Sequence, residues 1–144
     1  AARSRSVTRY LLDTNIISHI MKDGQSPQVQ RYRARLQREA DCNLVTSVVV
    51  QCELLFGLAR HPSARLQAAY ELQMAQLEVL ALDPSVCIHY AQLRAQLERK
   101  GTPIGANDTL IAAHALALDA TLVSADTEFT RVPGLQVENW LQPA

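Results

Sequence analysis

This 144-residue chain has few of the features that mark several large protein classes. Its three cysteines, Cys42, Cys52 and Cys87, are an odd set with no C-x-x-C and no histidine at zinc-ligand spacing. They are expected to be small, reduced core residues of a cytosolic protein, which excludes a disulfide framework and a zinc site. No apolar run is long enough to span a bilayer, because the best stretch, Thr109 to Val123, is interrupted by His114 and Asp119. After Arg9 only Tyr10-Leu11-Leu12 precede Asp13, too short for a signal peptide, so a cytoplasmic location is expected. Walker A, G-x-G-x-x-G and G-x-S-x-G motifs are all missing, which leaves nucleotide cofactors and Ser/His/Asp catalysis unsupported. His19, His61, His89 and His114 are scattered without ligand spacing, and His114 is expected to be a helix residue, packed or hydrogen-bonded locally.

Net charge is also lacking: 14 basic residues balance 14 acidic ones, which excludes a uniformly basic nucleic-acid sleeve. The balance conceals a split. Residues 1–40 hold eight Lys/Arg against three acids, a net of +5, and the remainder carries −5. Such asymmetry permits a basic rim beside an acidic site. With 48% apolar residues, a chain of this length buries roughly 68–70% of its unfolded surface and needs no staple to fold. One domain spanning residues 1–144 is expected, with its core at about 9–140. Residues 1–8 are expected to be disordered or a cloning remnant, since no initiating methionine is present.

Punctuation along the chain is regular. Tyr10–Leu12 reads as a strand, and Thr14–Lys22 as a short helix closed by Gly24. Val29, Tyr32 and Leu36 recur at helical spacing up to about Arg38. Asn43–Thr46 reads as a second strand. Ser47 then caps a helix through about Arg60, which His61-Pro62 stops. A helix marked by Leu66, Tyr70, Gln73 and Leu77 leads to a strand at Val79–Leu82. Asp83-Pro84 starts another helix that Gly101 ends. Asn107–Leu118 is helical, and Thr121–Val123 and Leu135–Val137 are the last strands. Strands alternating with helices predict an α/β fold, a central parallel sheet flanked by helices on both faces.

Ligands collect beyond the carboxyl ends of such strands, at the point where strand order reverses. Asp13 follows the first strand directly, and Asp126 lies three residues beyond Val123. Each also has a purely structural use, Asp13 as a helix cap and Asp126 as a turn residue. Asp108 shares a helix face with Ile111, Ala112 and Ala115, and its position in the first turn suits an anion. Glu53 is expected on an inward stripe with Val49 and Phe56, where a carboxylate needs a partner. Two like charges 4 Å apart repel by about 4 kcal/mol at an effective dielectric of 20. Four converging carboxylates with no adjacent Lys or Arg therefore call for protonation or a cation. An oxygen-only donor set favours Mg²⁺ or Mn²⁺, and that chemistry suits phosphodiester hydrolysis.

Five blocks in order carry a resemblance: Tyr10-Leu-Leu-Asp-Thr-Asn-Ile-Ile-Ser, Thr46-Ser-Val-Val-Val-Gln-Cys-Glu-Leu-Leu-Phe-Gly, Pro103-Ile-Gly-Ala-Asn-Asp-Thr-Leu-Ile-Ala-Ala-His-Ala, Ala120-Thr-Leu-Val-Ser-Ala-Asp-Thr-Glu-Phe and Val132-Pro-Gly-Leu-Gln-Val-Glu-Asn-Trp. Together, from about Arg9 to Trp140, they resemble the PIN-domain family, and within it the VapC-type ribonuclease toxins of bacterial toxin–antitoxin modules. The resemblance implies a Mg²⁺- or Mn²⁺-dependent endoribonuclease acting on structured RNA such as tRNA. It implies that Asp13 and Asp108 bind metal and that Glu53 acts directly or through water. Asp126 matches the last acidic position, for which Glu128 is the alternative. Thr14 and Asn15 are implied to orient water or phosphate. Also implied are a homodimer and a VapB-like antitoxin whose tail covers the acidic groove, often with an arginine among the carboxylates. Arg31, Arg33, Arg35 and Arg38 are either phosphate contacts or a solvated helix face.

Rival readings fit less well. A phosphoacceptor receiver domain needs an acidic pair after its first strand and a late lysine, whereas no lysine follows Lys100. A haloacid-dehalogenase-type phosphatase needs D-x-D, and the second position here is Asn15. A non-catalytic PIN-like scaffold that binds RNA or protein is the alternative outside the enzymes, and it would be expected to have lost acids that are all present here.

Overall fold

The computed structural model describes residues 7–39 and 41–143. The expectation for residues 1–6 lies outside the described residues, while Thr8 already belongs to the first strand. β1 (Thr8–Leu12) leads into α1 (Thr14–Lys22), and α2 (Pro27–Arg38) precedes β2 (Cys42–Ser47). α3 (Val48–Arg60) and α4 (Ala64–Ala75) lead to β3 (Glu78–Leu80). α5 (Pro84–Arg99) and α6 (Ala106–Ala117) lead to β4 (Thr121–Val123). A 3₁₀ segment, Thr127–Arg131, precedes β5 (Val137–Glu138).

The five strands form one parallel sheet in the order β3-β2-β1-β4-β5. Consecutive residues Leu11 and Leu12 are both fully buried, as are Leu122 and Val123. Because neighbouring side chains on a strand point to opposite faces, both faces are covered, as a parallel sheet requires. The expected α/β architecture is therefore present. Its helix starts follow the residues read for them: the side chains of Asp13, Ser47 and Asp83 accept from backbone N–H groups at the starts of α1, α3 and α5. Gly101 ends α5 at φ 70°, with Thr102 N–H bonded back to Leu97 O at 3.0 Å. Asp119 performs the same service for α6 at φ 53° without being glycine, and Ala120 N–H reaches Ala115 O at 2.9 Å.

Several expectations need correction. β3 stops at Leu80 instead of Leu82, since its last partner is Ser47, where β2 gives way to α3. Leu82 is accordingly exposed. β5 lies at Val137–Glu138 instead of 135–137. A turn occupies Val132–Leu135, with proline then glycine at its centre and Gly134 at φ 79°, and it postpones the strand. Phe56 is 62% exposed, not inward. At about 100° per residue it stands about 200° around α3 from the buried Leu54. Cys52 and Cys87 are exposed and so are not core residues, while the half-buried Cys42 packs against the core. His114 is a packed helix residue as expected, with 1% exposure, and its Nδ1 lies 2.8 Å from Ser47 Oγ at the start of α3.

Candidate active site

Strand order reverses between β1 and β4: β2 and β3 follow β1 on one side, β4 and β5 on the other. Chain segments leaving β1 and β4 diverge there and open a crevice at the carboxyl ends. Asp13 N–H donates to Val123 O at 2.9 Å, which ties the first acid to the end of β4.

Asp13 is 3% exposed and has donors on both oxygens. Oδ1 accepts from Thr14 N–H at 2.7 Å. Oδ2 accepts from Ser124 Oγ at 2.8 Å and Asn15 Nδ2 at 3.1 Å. Burial raises the Asp13 pKa above the ordinary value, the Ser124 and Thr14 bonds lower it, and the charges of Glu53 and Asp126 raise it further. The helix-cap use and the site position thus coincide in one residue. The Thr14 hydroxyl donates a hydrogen bond to Glu53 Oε1 at 2.6 Å, joining α1 to the middle of α3. Asn15 Oδ1 accepts from Ala125 N–H at 3.0 Å, so this side chain spans from Asp13 to the loop after β4.

Asp108 enters from the first turn of α6, whose Ile111, Ala112 and Ala115 are fully buried, as the shared-face reading expected. Asp126 caps the 3₁₀ segment, its Oδ1 accepting from Glu128 N–H at 2.9 Å. One oxygen each from Asp108, Asp126 and Glu128 lie within 4.8 Å of one another, the carboxylate group among the described residues able to hold a metal ion. The fold therefore brings both candidates for the last acidic position to the same place. Asp13 and Glu53 lie outside that set but act on it electrically. Asp108 is pushed up to about 6, by burial first and then by the charges of Asp13, Asp126, Glu53 and Glu128. All five acids thus share one field, and a hard divalent cation suits such a cluster of carboxylate oxygens.

Ser124 was missed by sequence reasoning. It is 2% exposed, donates to Asp13, and accepts from Asn15 Nδ2 at 3.3 Å and Asp126 N–H at 3.0 Å. Its position one residue past β4, at the switch point, was the available signal. The α2 arginines divide. Arg35 pairs with Glu138 at 2.7 Å and Glu39 at 3.1 Å, and its guanidinium lies 5.7 Å from the Trp140 ring centroid. Arg31 Nε donates to Leu141 O at 3.0 Å, whereas Arg33 and Arg38 are exposed.

These features define an α/β protein with a carboxylate centre at its switch point, and the sequence matches the family model of the PIN domain over residues 10–135. The chain belongs to the PIN-domain family. Within it, the chain is 35% identical to ribonuclease VapC2 of Rickettsia felis over 134 residues, 91% of this chain and 97% of the relative. It is 36% identical to the tRNA(fMet)-specific endonuclease VapC of Salmonella typhimurium over 135 residues, 92% of this chain and 98% of that protein. The fold is similar to that in the crystal structure of VapBC2 from Rickettsia felis bound to a DNA fragment from their promoter. There the TM-score is 0.85 at 32% identity, covering 92% of this chain and 99% of the other. Among the described residues no helix is long and apolar enough to cross a membrane.

Proposed function

We propose that this protein is a divalent-metal-dependent endoribonuclease, the toxin of a bacterial toxin–antitoxin pair, with structured RNA such as tRNA as its substrate. The observation that carries the reading is the convergence of Asp108, Asp126 and Glu128 beside the buried Asp13, on a chain so similar to VapC ribonucleases.

Asp13, Glu53, Asp108 and Asp126 are the catalytic acids, and their oxygens, with Glu128 completing the set, would hold Mg²⁺ or, in its place, Mn²⁺. The donor chemistry fits: every group is a carboxylate, and burial first, with the charges of the neighbouring acids after it, raises the pKa values of Asp108 and Asp13. The bound ion would lower the pKa of water and stabilise charge that builds on the phosphate. Asp13 is held in one orientation by Ser124, Asn15 and Thr14, so its carboxylate needs no reorganisation when substrate arrives. Glu53 has Oε1 engaged by the Thr14 hydroxyl, which leaves Oε2 to take the proton of the water that attacks phosphorus. Thr14 and Asn15 orient that water and the phosphate.

A VapB-like antitoxin silences the toxin by covering the acidic groove, where an arginine can replace the cation and bond two carboxylates at once. A homodimer uses apolar surface such as Phe56 and Ile88, each 62% exposed. Working on cellular RNA, the protein acts in the cytoplasm.

The test is cleavage of a tRNA pool by purified, antitoxin-free protein, with Mg²⁺, Mn²⁺ or EDTA, beside Asp108→Asn. Metal-dependent cuts at a defined site, lost in the variant, are expected. Folded protein that binds no metal and cuts no RNA would overturn the reading in favour of a scaffold.

A further inference from the structure

The structure holds a cavity outside the carboxylate centre. It has a volume of about 400 Å³ and lies between α2 and the segment after β5, lined by Arg31, Arg35, Arg38, Glu138, Asn139 and Trp140 among others. That size falls in the range of small-molecule sites and accommodates a phosphate with its sugar. Among the described residues only Arg35 of these three arginines forms an ion pair. It pairs with Glu39 and with Glu138, which is the one carboxylate among the described lining residues and also accepts from Trp140 Nε1 at 3.0 Å. Arg31 is held by a neutral carbonyl, so its charge is positioned but not cancelled. Among the described residues, two of the three guanidinium charges in the cavity thus lack an acid of their own. Arg33, on the same helix, does not line it.

The cavity is also near the carboxylate centre. Leu12 is in register with Val123, and Val123 with Glu138. Two strand spacings therefore separate the residue before Asp13 from the cavity wall, roughly 10 Å. An acidic centre and a net basic cavity reached from neighbouring strands of one sheet complement a polyanion that crosses both.

We propose that this cavity binds a backbone phosphate of the RNA substrate away from the cleaved bond, with Arg38 and Arg31 as its contacts and Arg35 as the preorganised wall. The inference rests on the ribonuclease reading and specifies where the substrate is gripped. Planar guanidinium groups suit phosphate oxygens, and a pinned Arg31 loses little side-chain freedom on binding.

The test compares Arg38→Gln with Arg33→Gln, the same charge change on the same exposed helix. Each is made in an Asp108→Asn background for tRNA binding by fluorescence anisotropy across a salt series, and in the active protein for kinetics. Arg38→Gln is expected to weaken binding roughly threefold to tenfold and to reduce the steepness of log K against log salt by about 0.9. It should raise KM with kcat unchanged, whereas Arg33→Gln stays within about twofold of the parent. Equal effects of the two variants would reduce the cavity to diffuse charge attraction and overturn the proposal. So would an Arg38→Gln change that weakens antitoxin binding and not RNA binding, which would assign the cavity to a protein partner. Cleavage by the parent protein separates the two failures. If the parent cuts RNA and Arg38→Gln is silent, only the cavity proposal falls. If the parent cuts nothing, the ribonuclease reading falls and the cavity proposal with it.

Discussion

The carboxylate centre should make the metal-free protein less stable than it could be, and Asp108→Asn measures by how much. Asp108 rises from 3.8 to about 6, so the folded state holds its proton more tightly than the unfolded chain does. For a carboxyl raised in this way, the penalty is absent well below pH 3.8, grows as pH rises, and is complete above about 6. Two pKa units correspond to about 3 kcal/mol, the same order as one ionised pair at 4.8 Å in an effective dielectric of 20. Asp108 is only partly buried, so solvent screening reduces this to ~1–2 kcal/mol. Asparagine keeps the shape and removes the charge. In EDTA at pH 8 the variant should melt about 3–8 °C higher, a range set by the usual scaling for a chain of this size. The single Trp140, buried against Tyr10 and Tyr32, supplies the fluorescence signal. The advantage should shrink as pH falls towards 4, and saturating Mg²⁺ should raise the parent's melting temperature more than the variant's. A variant that melts at or below the parent in EDTA at pH 8 would refute the claim of uncompensated charge.

Three further outcomes follow from the structure. Ser124→Ala removes the donor to Asp13 and the acceptor for Asp126 N–H, and should cost about 1–3 kcal/mol in urea unfolding and about 10–100-fold in Mg²⁺ affinity by titration calorimetry. Burial lowers the His114 pKa, so its contribution to stability is present above about pH 6.5 and is lost as pH falls below that value. The urea midpoint should drop between pH 7 and 5 and do so less in His114→Gln; equal slopes would count against this. Asp119→Gly relieves a left-handed backbone position and should add about 0.5–1 kcal/mol, read as a higher melting temperature with unchanged RNA cleavage.

Local patterns carried much of the fold. Apolar periodicity, the Asp13, Ser47 and Asp83 caps and the Gly101 stop are properties of short segments, and they place most helices and the first strands without knowledge of the rest. Asp13 and Asp108 were legible for a related reason: one follows a strand directly, and the other lies on an apolar helix face. Other features belong to partners distant in sequence. β3 ends where β2 stops offering a ladder, and Ser47, 67 residues from His114, completes a buried hydrogen bond. Only tertiary structure could bring Ser124 under Asp13, 111 residues away, or set Asp126 and Glu128 together against Asp108. The same holds for the arginines of α2. Their sequence shows a basic stripe, and its division into a paired Arg35, a pinned Arg31 and an exposed Arg38 was decided by the strand and tail that pack against it. Charge and periodicity are local quantities, whereas desolvation and pairing depend on which surfaces meet.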